Sequence, residues 1–161
     1  AYAAAGDQAA LAVLRDGLRE RAAQGRLPAG ESVINIVAGI AAYAAGDYEG
    51  AAHALAPVAD QVIRIGGSHA QRDVLEETLI EASLRAGRYE EARTLIQTRL
   101  ARRPSARDFF WLGRACAGCG DAPGAAANLN AAATHWRDAD ADSPELVRLR
   151  VLSAAPGPTP C

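Results

Sequence analysis

An all-α chain of antiparallel helical hairpins is the fold this sequence predicts, and three observations predict it. Ala, Leu, Arg and Glu dominate the 161 residues, while aromatic residues make up only 5% of them, which is a helix former's composition. Apolar residues recur at three- and four-residue steps through most segments. Glycine-containing turns then cut the chain at intervals from the low thirties to the low forties of residues: Gly6-Asp7, Gly46-Asp47-Tyr48, Gly87-Arg88-Tyr89 and Gly120-Asp121-Ala122.

The elements follow in order. Ala1 to Ala5 reads as the tail of a helix, closed by Gly6-Asp7. Gln8 to Gln24 is a helix with Leu11, Leu14, Leu18 and Ala22 on one stripe. Gly25 to Gly30, with Pro28, is a loop. Ser32 is the expected cap of the next helix, which carries Val33, Ile36, Val37, Ile40 and Tyr43. Tyr48 to Ile65 is a helix that Pro57 should kink or locally distort. After Gly66-Gly67, Ser68 and Gln71 form a capping box for a helix that ends at Gly87. Val74, Leu75, Thr78, Leu79, Ala82 and Leu84 line it.

Tyr89 to Arg102 is a helix stopped by Pro104, with Ala92, Leu95, Ile96 and Leu100 inward. Ser105 caps the next, which carries Phe109, Leu112 and Ala115 and ends at Gly118-Cys119-Gly120. Ala122 to Trp136 is an alanine-rich helix, and Asp138 to Asp142 an acidic linker. Ser143-Pro144-Glu145 opens a last short helix through Leu152. The hairpin array therefore covers residues 1–153. Residues 154–161 hold too many prolines and too little apolar surface to pack, and read as a disordered tail.

A finer pattern recurs within the hairpins. Phe109-x-x-Leu112-Gly113-x-x-Cys116 precedes its turn, and Ala125-x-x-x-Leu129 follows it. Ala51-x-x-x-Leu55 and Ala92-x-x-x-Ile96 hold the equivalent places, and Pro104 closes the third hairpin. This resembles the tetratricopeptide repeat, which implies an α-solenoid of stacked hairpins (an α-α superhelix). Ile80 stands where that family prefers glycine. The string Gly67-Ser68-His69-Ala70-Gln71-Arg72-Asp73-Val74, followed by Glu77-Thr78-Leu79, is similar to the C-terminal part of the tetratricopeptide repeat protein 38 family. That resemblance implies a helical-repeat protein with no established catalytic activity, in a family whose members are much longer. The absence of any Met agrees with a piece of a longer chain.

Composition narrows the function classes. A net charge of −2 gives no pull toward nucleic acid or an anionic membrane. Every basic residue is Arg, which reads as the codon bias of a GC-rich, bacterial-like genome. No apolar run is long enough to span a bilayer and no signal segment opens the chain. Three Cys make no disulfide framework, so a reducing, cytoplasmic setting is expected.

Four groups of residues invite a sharper reading. Cys116 and Cys119 form a C-x-x-C, and His135 is a third ligand only if its helix turns it inward; without a second pair, two small buried residues are expected and no metal. His69 and Asp73 lie four apart on one helical face, where a carboxylate orients an imidazole base. With Arg72 they define the alternative reading, an enzyme or small-molecule site, but no nucleophile or phosphate loop joins them. The favoured alternative to catalysis is a polar junction between hairpins. Arginines between Arg93 and Arg114 are diluted by Glu90, Glu91 and Asp108 and read as a solvated face. The sequence reads as a cofactor-free interaction scaffold whose partner is a peptide segment or another part of the parent chain. Its concave surface is expected to expose Ile36, Ile40 and Tyr43, then Glu77, Glu81 and Arg85, then Arg107, Phe110 and Arg114.

Overall fold

The structure is a computed structural model that describes residues 3, 5–27, 29–61, 69–140 and 142–154. Those residues are all-α, with no strand among them. None of their helices is long and apolar enough to cross a membrane. The chain divides into two compact units, Ala1–Ala86 and Gly87–Cys161.

The first unit begins with α1 (Gln8–Ala23), whose first turn is capped by the Asp7 carboxylate accepting from the Ala10 N–H. Helix α2 (Glu31–Ala44) packs on α1. It is entered through Gly30 at φ +51°, a conformation that a side chain resists, and not through a Ser32 cap. Ser32 already sits in the first turn, its N–H bonded to the Ala29 carbonyl, and its hydroxyl donates instead to the Gln61 side chain at 2.9 Å. Helix α3 (Tyr48–Leu55) packs on α2. It runs into a 3₁₀ segment, Ala56–Gln61, that contains Pro57. Proline has no N–H to continue the α ladder, so the chain tightens there and the long helix expected from Tyr48 stops early. Helix α4 (His69–Arg85) packs on α3. The glycine pair and Ser68 before it lie outside the described residues, and so does the capping box. Its buried side is Leu79, Ile80, Ala82, Ser83 and Leu84, whereas Val74 faces solvent.

The second unit holds α5 (Tyr89–Arg102), α6 (Ala106–Gly118), α7 (Ala122–His135) and α8 (Pro144–Ala154). Helix α6 packs on both α5 and α7, and α8 packs on α7. Phe110, Trp111, Leu112, Ala115 and Cys116 of α6 are buried, with Ile96 of α5, Ala125 and Ala132 of α7, and Leu146 and Leu149 of α8. Each large apolar side chain removed from water in this way is worth about 1.5–3 kcal/mol. Ser105 caps α6 as its sequence suggests, accepting from the Asp108 N–H. Ser143 does the same for α8, where Pro144 takes the first helical position. The tail is expected from Ala154, but that residue ends α8; residues 155–161 lie outside the described residues.

Candidate functional site

Two hairpin junctions of the same construction position the side chains that were candidates for binding. At the α2–α3 turn Gly46 has φ +82°, its N–H bonds the Tyr43 carbonyl, and the Asp47 N–H bonds that of Ala42. At the α6–α7 turn Gly120 has φ +79°, its N–H bonds the Ala117 carbonyl, and the Asp121 N–H bonds that of Cys116. These paired bonds close each helix as a Schellman motif. The same aspartate then caps the next helix: Asp47 Oδ1 accepts from Gly50 N and Asp121 Oδ1 from Gly124 N, both at 2.9 Å. A Cβ on Gly50 or Gly124 would collide with that carboxylate.

Deeper in each hairpin the helices nearly touch. A Cβ on Gly39 would stand 2.5 Å from Leu55 Cγ and 3.3 Å from the Ala51 carbonyl oxygen. A Cβ on Gly113 would stand 2.8 Å from Leu129 Cγ and 3.3 Å from the Ala125 carbonyl oxygen. Gly39, Ala51 and Leu55 therefore make the contact that Gly113, Ala125 and Leu129 make. Gly39 escaped the sequence reading because the bulky landmarks beside Gly113 are absent there; the constant separation of all these pairs along the chain is the signal that finds it.

In the first unit, α2, α3 and α4 converge on one polar cluster. Arg85 Nε donates to Glu81 Oε1 at 2.7 Å, and its Nη1 donates to the Tyr48 hydroxyl at 2.7 Å. The guanidinium carbon lies 4.9 Å from the Tyr48 ring centre and 5.8 Å from that of Tyr43. The two rings meet edge to face at 5.5 Å. The hydrogen bond to Glu81, partly opposed by desolvation, raises the Arg85 pKa above the ordinary arginine value, so its charge is fixed. Glu81, expected on an exposed face, is only 9% exposed and belongs to this internal cluster. Ile40 is exposed, and Ile36, Tyr43 and Glu77 are half-buried.

In the second unit the expected row divides in the same way. Arg107 reaches Glu145 of α8 at 3.1 Å and lies over the Trp111 ring at 5.9 Å. Arg114 lies over the Phe110 ring at 5.7 Å. Phe110 itself is 2% exposed and leans on Trp136, so it fills the core instead of facing a partner. The next position on that face of the helix is taken by the partly exposed arginines. Asp108, which the sequence offered only as a charge that dilutes its neighbours, is 1% exposed. It accepts from Arg99 Nε at 2.8 Å and from the Ser105 hydroxyl at 2.7 Å. This ion pair ties α5 to the entry of α6.

The catalytic and metal candidates take separate places. His69 opens α4, with its side chain outside the described residues, and Arg72 and Asp73 are half-buried on the following turn. Cys116 is buried and Cys119, at the end of α6, is half-buried. Burial first, and then the neighbouring Asp121, push the Cys116 thiol up; burial and a hydrogen bond to Glu90 push the Cys119 thiol up. Both shifts favour the thiol over the thiolate. His135 stacks on Phe109 at 5.2 Å and 17°. Among the described residues no three His, Cys, Asp or Glu side chains are grouped to hold a metal ion. The chain matches no family model, curated protein or solved structure in the comparisons made.

Proposed function

We propose that the chain is an α-solenoid of tetratricopeptide-type hairpins, resembling the C-terminal part of the tetratricopeptide repeat protein 38 family. Its role in this reading is a cytoplasmic scaffold that holds a peptide segment or another part of its parent chain. The observation that supports it most is the duplicated junction: Gly39 on Leu55 and Gly113 on Leu129, each behind the same Schellman turn and aspartate cap. A junction used twice at one spacing is the mark of a repeated unit, and repeated hairpins present the first helix of each pair on one side. This reading assigns Ile36, Ile40 and Tyr43 on α2 with Glu77 and Arg85 on α4 to the binding face of the first unit, and Arg107 and Arg114 on α6 to that of the second.

The test selects binders from a displayed peptide library and adds segments of the parent protein in trans. Ile40→Asp, Glu77→Arg, Arg107→Glu and Arg114→Glu should weaken the selected peptide while changing stability by about 1 kcal/mol or less, because none of the four is a core residue. Peptides whose affinity is indifferent to all four would end the scaffold reading.

A further inference from the structure

We propose that the binding face of the first unit takes an amphipathic helix by a stripe of uncharged, aliphatic side chains. This names the kind of partner for the scaffold reading and rests on that reading. The only charged residue of α2 is Glu31, at its first position. Ile36, Ile40 and Tyr43 then recur along one side of α2 at steps of four and three residues. Ile40 is 39% exposed, and the other two are half-buried. Large apolar side chains left open on successive turns form a ridge, and a ridge of this spacing packs between the side chains of another helix. From Ile36 to Tyr43 the ridge rises about 10 Å, which two turns of a partner helix would cover.

The charges that border the ridge say which stripe it accepts, because they are already engaged. At the Tyr43 end α2 meets α4, and Arg85 lies over the Tyr43 ring. Arg85 donates to Glu81 and to the Tyr48 hydroxyl. Glu77, one turn before Glu81, has an interaction of its own. A partner's carboxylate would have to compete with Glu81 for Arg85 across a 2.7 Å bond, and a partner's ammonium with Arg85 for Glu81. Further along the ridge a partner's charge would lose water and meet no opposite charge from Ser32 to Gly46. Charge of either sign is thus rejected, while Leu, Ile or Val gains by burying its surface against the isoleucines.

The test uses the full chain and three synthetic helical peptides of uncharged background. They carry the same aliphatic stripe and differ at its central residue, which is Leu, Glu or Lys. Fluorescence anisotropy should show the Leu peptide binding at least about ten-fold more tightly than either charged peptide. Its affinity should change by less than about two-fold between low and high salt. Ile36→Ala with Ile40→Ala should weaken it at least about ten-fold. Ile40→Glu should turn the preference toward the Lys peptide, which a merely unfolded variant could not do. A charged peptide that binds as tightly as the Leu peptide overturns the inference, as does Leu-peptide binding that is absent or that survives the isoleucine changes. In each of those cases the scaffold reading still stands if the library selection returns peptides sensitive to its own four substitutions, and falls if it does not. Self-association through the ridge, abolished by the isoleucine changes, or capture by phosphatidylcholine vesicles in place of the Leu peptide, overturns the inference as well.

Discussion

The hairpins α2–α3 and α6–α7 share a junction and differ in the lock that ties each to a further helix. In both, a glycine lets two helices approach and an aspartate joins the end of one to the start of the next. The α2–α3 hairpin is then held to α4 by Arg85, Tyr43, Tyr48 and Glu81, a partly open cluster with aromatic faces. The α6–α7 hairpin is held to α5 by Arg99 and Asp108, a buried ion pair with a capping hydroxyl. A junction built from neighbours in sequence can be copied unchanged. A lock depends on what a distant helix offers, and so each copy has its own.

The largest effect should come from breaking the buried lock. Asp108→Ala leaves Arg99 without its carboxylate and removes the partner of the Ser105 hydroxyl. Loss of one partner of a buried pair should cost about 3 kcal/mol, read as a lower urea midpoint. Glu81→Gln, at the more open lock, should cost about 1 kcal/mol, because the amide oxygen still accepts from Arg85. If the two losses are equal, burial is not what separates the locks.

Substituting the seam glycines sharpens the comparison next. Leu55 is fully buried and cannot swing aside, so Gly39→Ala should cost about 2 kcal/mol. Leu129 is half-buried and has room to turn. Gly113→Ala should therefore cost under about 1 kcal/mol, once alanine's better helix propensity is counted. Thermal melts of the two variants check the order, and a reversed order would refute the packing account.

Removing the caps should give equal, smaller losses. Asp47→Ala and Asp121→Ala each delete one exposed carboxylate that accepts at 2.9 Å. Each should lose about 1 kcal/mol, and the two values should agree within about 0.5 kcal/mol. The smallest change is expected from Ser83→Ala. That hydroxyl is buried, with no hydrogen-bond partner among the described residues. Its removal should be neutral or stabilise by up to about 1 kcal/mol in a urea titration. A clear loss would mean that Ser83 has a bond still to be identified.

The sequence by itself determined the helices, their turns and several of their caps. These features rest on neighbours: Gly46 and Gly120 supply a positive φ, Ser105 and Ser143 reach N–H groups three residues on, and Pro104 ends a ladder. Where a local signal had rivals, tertiary structure chose among them. Ser32 looked like a cap, but Gly30 makes the turn and Gln61 takes the hydroxyl. The site was much less legible. Glu81 and Phe110 stand at positions of a helical face that periodicity marks as outward, yet one is drawn in by Arg85 and the other by Trp136. Asp108 read as one surface charge among many until Arg99 from another helix closed over it. Exposure and charge pairing depend on residues far apart in the chain, whose approach is fixed by the sum of packing and not by any single stretch. The hairpins are therefore written locally, while the side chains left free to meet a partner are decided only when the helices come together.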